Sequence, residues 1–275
     1  MNLYLNTPNY QLAYSVFSPN QSNGKVVLIN PAMGVPQRFY ADFAQYLADL
    51  GFYVYTFDYY GMCLSAPSSL KNLSTNLQTW AEDIAAMLDL VKTQHAEKEL
   101  IAVCHSVGGQ LFGQVRNNQL VSKLVLVACQ GGYWKFWSGL DKLKVWIFWH
   151  LLIPPFSHAT GYFPAKRLGL FENLPKKVAL QWAQWGRSRN YFADHIDTQG
   201  YQNLNVPLLS MSFSDDFFAP PRAAQWLNSQ YKNCQLTHHA YTPQQFDLKK
   251  IGHFDMFKTK FKPYFWQPIA DFISG

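Results

Sequence analysis

The sequence predicts an α/β protein, a doubly wound and mostly parallel sheet interrupted by a helical insertion. Three observations carry that prediction. From residue 25 to residue 128, short continuous apolar runs alternate with stretches of helical periodicity. The rhythm stops at Gly131-Gly132 and resumes only at residue 206. In the gap lie six of the nine Trp, from Trp134 to Trp185, with Val178, Trp182 and Trp185 at i, i+4, i+7 and Trp146 and Trp149 at i, i+3. A chain of 275 residues can bury one large core. The expected division is a core of residues 1–130 and 204–275 and a helical, aromatic-rich insertion of residues 131–203.

Residues 3–5 and 12–17 alternate around the Thr7-Pro8-Asn9 turn and predict an antiparallel pair at a sheet edge. Lys25-Val26-Val27-Leu28-Ile29-Asn30 is the kind of run buried on both faces of a parallel sheet. Phe39, Phe43, Leu47 and Leu50 recur at helical spacing over residues 38–50, and Gly51 stops them. Strands are expected next at 52–57, 100–104 and 123–128, with helices at 77–91 and 108–115. No strand is expected in the insertion. Beyond it the pattern predicts a strand at 206–213, a helix at 223–230, a last strand at 235–241 and a closing segment at 263–273.

Composition removes several function classes. Charged residues are only 15 % of the chain and aromatics 17 %, with 15 Pro and 16 Gly, which excludes a coiled coil and argues against disorder. The net charge of +6 is spread out, with no run longer than Lys176-Lys177 or Lys249-Lys250, so it describes a solvated surface and not a nucleic-acid stripe. The amino-terminal stretch lacks the charged, apolar and small-residue regions of a signal peptide and reads as mature sequence. The most apolar stretch, 145–156, is broken by His150, Pro154 and Pro155 and is shorter than the roughly 20 residues a membrane span needs. Cys63, Cys104, Cys129 and Cys234 show neither paired nor metal-like spacing, which points to reduced thiols and a cytoplasmic protein. The sequence holds no H-E-x-x-H, G-x-G-x-x-G or P-loop, so neither a metal nor a nucleotide cofactor is expected.

The residues with chemistry sit at strand ends. In Cys104-His105-Ser106-Val107-Gly108-Gly109, Ser106 lies between an expected strand and an expected helix. Small residues at 108 and 109 allow a sharp turn that thrusts the hydroxyl into the open, and the helix start offers N–H groups, Val107 first, to a developing oxyanion. A Ser hydroxyl needs a base to take its proton and a third group to orient that base. Asp215 and Asp216 follow the strand at 206–213, and Asp216, four residues before Pro220, is the first choice of acid, with Asp215 second. His253, in Ile251-Gly252-His253-Phe254, follows the last strand and is the candidate base. His238 and His239 lie in or beside that strand, and His105 is expected to point away from the hydroxyl. The alternative for the Asp pair is a solvated turn or a helix cap before Pro221.

These motifs resemble the α/β-hydrolase superfamily along nearly the whole chain except the insertion. Gly34-Val35-Pro36-Gln37-Arg38-Phe39-Tyr40, Ser214-Asp215-Asp216-Phe217-Phe218-Ala219-Pro220 and the Ile-Gly-His-Phe run resemble a group of little-characterised bacterial hydrolases. The chain departs from the pattern at Cys104, where Gly is commonest. The resemblance implies an eight-stranded sheet, a triad of Ser106, His253 and Asp216 in the order Ser, acid, His, and a second oxyanion N–H after the strand at 25–30. In Asn30-Pro31-Ala32-Met33-Gly34 the candidate donor is Ala32, paired with Val107. The run from Asp58 to Ser65 matches a D-x-x-G-x-x-x-S turn and reads as structural. The insertion falls where the superfamily places a cap, whose aromatics suit an apolar acyl or aromatic group. The expected reaction is hydrolysis of a small-molecule carboxylic ester. Peptidase or acyltransferase chemistry on the same triad and non-catalytic ligand binding are the rivals. Contact of the Trp-rich helices with a membrane surface, through Lys142, Lys144, Lys176 and Lys177, ranks below pocket formation.

Overall fold

The computed structural model describes residues 3–71 and 73–275. Met1 and Asn2, the start of the stretch read above as mature sequence, lie outside the described residues. The edge pair is β1 (Leu3–Asn6) and β2 (Gln11–Phe17), antiparallel with Leu3 opposite Tyr14. Next come β3 (Lys25–Asn30), α1 (Ala41–Asp49), β4 (Tyr53–Phe57), α2 (Leu77–Gln94), β5 (Glu99–His105), the short α3 (Val107–Leu111) and β6 (Lys123–Val127). The insert then supplies α4 (Gly139–Ile147), α5 (Ile153–Thr160), β7 (Tyr162–Phe163), β8 (Leu174–Pro175), α6 (Lys176–Arg187) and α7 (Gln199–Asn203). The chain ends through β9 (Pro207–Phe213), α8 (Pro221–Asn228), β10 (Gln235–Tyr241) and α9 (Gln267–Ser274). Eight strands form one sheet in the order β1-β2-β4-β3-β5-β6-β9-β10. Within this sheet, among the described residues, only the β1–β2 and β2–β4 pairings are antiparallel.

Alternate residues of the parallel strands feed two separate cores, as the period of two in a strand requires. Val26, Leu28, Ala102, Leu124 and Leu126 pack with Trp80, Ile84 and Leu88 of α2. Val27, Ile29, Ile101, Val103, Val125 and Val127 pack on the other face with Phe43 and Leu47 of α1 and Ile269 and Ile273 of α9. The expected two-sided burial is therefore what the apolar runs encode. Helix α2 starts at an Asn76 cap, whose side chain accepts the Thr79 N–H at 2.9 Å. Its Trp80 is fully buried, stacks on Tyr59 at 4.6 Å and donates its indole N–H to the Tyr60 carbonyl at 3.0 Å. The Asp58–Ser65 turn is structural as expected. Asp58 accepts the N–H groups of Gln37 (2.7 Å) and Leu64 (3.2 Å), and the Ser65 hydroxyl donates to the Asp58 carbonyl at 2.7 Å.

Two expectations are corrected. The helix expected at 108–115 ends at Leu111 and tightens into a 3-10 turn, because the carbonyls of Gly109 and Gln110 accept the hydroxyls of Tyr231 (2.7 Å) and Tyr201. The insert contains one antiparallel ladder, with Tyr162 opposite Pro175 and Phe163 opposite Leu174. Two-residue strands have no periodicity to read. Replacing Trp80 by Ala is expected to cost about 3–5 kcal/mol, measured as a drop in the free energy of urea unfolding with the secondary structure retained.

Candidate active site

Strand β5 delivers the chain into a sharp turn at Ser106, where φ is +52° and ψ is −112°. A side-chain-bearing residue adopts such a backbone only when its surroundings hold it there. Here the Ser106 N–H donates to the Val127 carbonyl at 3.1 Å, tying the turn to β6. The glycines behind it are required by space. A Cβ at position 108 would lie 2.6 Å from the Asn30 carbonyl oxygen, and one at 109 would lie 2.5 Å from Cys129 Sγ. Ser106 itself is buried, on the wall of a cavity of about 20 Å³ that Ala32, Met33 and His253 also line. That is room for about one water molecule.

The two neighbouring aspartates are used differently. Asp216 Oδ2 lies 2.7 Å from His253 Nδ1, and its Oδ1 accepts the N–H groups of Phe218 (2.8 Å) and Ala219 (3.0 Å). Both side chains are buried. With a carboxylate against Nδ1, the imidazole proton sits on that nitrogen and Nε2 keeps its lone pair. Asp215 turns the other way and accepts the Ile251 N–H at 2.9 Å and the Gly252 N–H at 3.1 Å, clamping the loop that carries His253. The carboxylate that reaches the imidazole is thus Asp216. No hydrogen bond joins Ser106 Oγ to His253 among the described residues; such contacts are commonly long until substrate binds.

His105 does point away from the cavity, and it has a partner on each nitrogen. Nε2 lies 2.9 Å from the His253 carbonyl and Nδ1 lies 2.8 Å from Tyr40 Oη. A carbonyl only accepts, so Nε2 carries the proton and Nδ1 accepts the Tyr40 hydroxyl. Tyr40 Oη in turn accepts the Ala32 N–H at 2.9 Å. One chain of hydrogen bonds therefore links the loop after β3, the end of β5 and the loop of His253. Complete burial, and then the nearby His253, hold the His105 imidazolium pKa well below the usual histidine range. Sequence reasoning found no use for His105 or Tyr40, because the contact spans 65 residues. The same chain bears on Ala32, the expected oxyanion donor, whose N–H is already committed to Tyr40. The N–H of Met33, one residue on, makes no hydrogen bond among the described residues. That of Val107, in the first turn of α3, has no intrahelical partner. Among the described residues, no group of three or more His, Cys, Asp or Glu could hold a metal ion.

Sequence and structure comparisons agree with this architecture. A family described as serine aminopeptidase, S33, matches residues 21–153, which include the loop after β3 and Ser106 but neither Asp216 nor His253. No curated protein matches. A thermostable carboxyl esterase from Bacillus coagulans superposes with a TM-score of 0.73 at 14 % identity, over 100 % of this chain and 98 % of that one. An esterase from Exiguobacterium antarcticum gives 0.64 at 16 % identity over the whole of both chains. Proline iminopeptidase from Mycobacterium smegmatis gives 0.62 at 14 % identity, over 99 % of this chain and 97 % of that one. The chain has the α/β-hydrolase fold.

The hydrogen-bond chain has a spectroscopic consequence. The ring nitrogens of His105 are expected to report a neutral, Nε2-protonated imidazole that does not titrate across about pH 8 to 5. Nitrogen-15 NMR of histidine-labelled protein checks this, and a titrating His105 would refute the assigned chain.

Proposed function

We propose that the protein is a serine esterase that cleaves carboxylic esters of apolar acyl groups through an acyl-enzyme on Ser106. The observation that carries this reading is the buried Asp216–His253 pair at 2.7 Å, on the cavity that Ser106 lines from its strained turn. In the proposed cycle His253 Nε2 takes the Ser106 proton as Oγ attacks the ester carbonyl. The N–H groups of Val107 and Met33, the latter in place of Ala32, bind the oxyanion. His253 then protonates the departing alcohol, and a water activated by the same nitrogen releases the acid. Asp216 keeps the imidazole in the required tautomer throughout.

The acyl group is assigned to a second cavity of about 350 Å³, walled by Trp137, Val145, Phe148, Trp149 and Leu152, which shares Gln130, Trp182 and Phe218 with the smaller one. The insert acts in this reading as a cap, with Phe171 and Trp182 yielding when the carbonyl enters. An aminopeptidase would need a carboxylate to meet the substrate ammonium. The walls of both cavities hold none among the described residues, which favours an ester. The four free cysteines suit a reducing compartment such as the cytoplasm.

Labelling by a fluorophosphonate is expected for the native chain and not for Ser106→Ala. Absence of labelling in folded native protein would leave a ligand-binding protein as the reading. Asp216→Asn is expected to lower kcat by about 10⁴-fold, whereas Asp215→Asn, which loosens the loop without touching the imidazole, lowers it far less. Along a series of p-nitrophenyl esters, each methylene is worth roughly 0.8 kcal/mol, about fourfold in kcat/KM, until the cavity is full. A flat series would refute the acyl assignment.

A further inference from the structure

Helix α4, a π-helical turn (Phe148–Leu152) and α5 follow one another without a break. The inward face of this run, with Val145, Trp149 and Ile153 buried, is already packed. Its outward face is apolar as well. Leu140 is 77 % exposed and Leu143 and Leu151 are each 53 % exposed, with the partly exposed Ile147 between them. Positions 140, 143, 147 and 151 recur at the three-and-four spacing of a single helical stripe. A lone exposed Leu needs no explanation. A stripe of them on a helix whose opposite face is already packed marks a contact surface.

The stripe lies beside the larger cavity. Lys144, the neighbour of Leu143, stands on the cavity wall with Leu168, Leu170 and Phe217, each of the last three at least 40 % exposed. Exposed apolar surface therefore reaches the edge of the space assigned to the acyl group. Basic side chains outnumber acidic ones along the same stretch of chain, with Lys144 paired to Asp141 at 2.8 Å and Lys166 to Glu172 at 3.0 Å. Residues 131–172 hold five basic side chains (Lys135, Lys142, Lys144, Lys166, Arg167) against two acidic ones (Asp141, Glu172), a balance of +3. Lys135 and Lys142 stand 5.2 and 5.3 Å from the ring centre of Trp134, and Lys144 stands 5.9 Å from that of Phe217. Aromatic and aliphatic side chains interleaved with lysines form a surface that sinks into a headgroup layer and pairs with its phosphates.

We propose that the outer face of α4, the π turn and α5 docks on an anionic lipid surface. Lipophilic esters then pass from the bilayer into the cavity beside Ser106. The delivery step rests on the esterase reading; the docking step does not. Among the described residues no helix is long and apolar enough to cross a membrane, so the contact is peripheral.

The test is flotation of the full chain with phosphatidylcholine–phosphatidylglycerol vesicles and with phosphatidylcholine vesicles alone. The expected result is flotation with the anionic vesicles, weakening as salt is raised. Leu140→Asp, Leu143→Asp and Leu151→Asp, all at exposed sites outside the cavity walls, are each expected to lower partitioning by about tenfold or more. Their hydrolysis of a soluble short-chain ester should equal that of the native chain, while hydrolysis of a vesicle-embedded ester falls. Native protein that does not float with anionic vesicles overturns the proposal, as does flotation that the three variants leave unchanged. A dimer in sedimentation that Leu140→Asp and Leu143→Asp dissociate would assign the face to a second copy and overturn it too. Flotation without hydrolysis of any ester would sink the esterase reading and leave the docking in place.

Discussion

Everything at the site is aligned from the contact that Gly108 and Gly109 permit. With no Cβ at either position, the start of α3 closes on the Asn30 carbonyl of β3 and on Cys129 just beyond β6. The turn before it must then bend through a backbone conformation that Ser106 accepts only under constraint. A single methyl at 108 would press on main chain, which cannot swing aside as a side chain can. The strain is local, and the parallel sheet on either side of β5 bears it.

Around that turn, the three loops that must meet come from distant parts of the chain and are joined by oriented hydrogen bonds. Ala32 donates to Tyr40, Tyr40 to His105, and His105 to the carbonyl of His253. Each group has one role available to it, because the final acceptor is a carbonyl. Asp215 adds a second tie, from the end of β9 to the backbone just before His253. Two adjacent carboxylates thus divide the work of holding a loop and orienting a ring. Satisfied buried networks of this kind specify one arrangement, because each unmade bond would leave a costly orphan.

The insert carries two surfaces on one helical run. Its inner face, with Trp149 and Val145, closes the larger cavity, while its outer face presents leucines among lysines. The solved structures that share the fold have 14–16 % identity with this chain in the three superpositions described. At that distance the superpositions speak for the fold alone.

What could be read from the sequence was whatever depends on neighbours along the chain. The apolar runs of β3 to β6 gave their strands, the order of Ser106, Asp216 and His253 could be seen without coordinates, and the Asp58–Ser65 turn announced itself by spacing. Tertiary structure decided everything that depends on partners far away in sequence. It cut α3 short by capturing its carbonyls with Tyr201 and Tyr231, made a ladder of two-residue strands, and turned Asp215 away from the imidazole. It also took the Ala32 N–H for Tyr40. The reason is the same in each case. Periodicity and turn chemistry act within a few residues, whereas the direction of a carboxylate or the availability of an N–H is settled by whichever group the fold brings within about 3 Å of it.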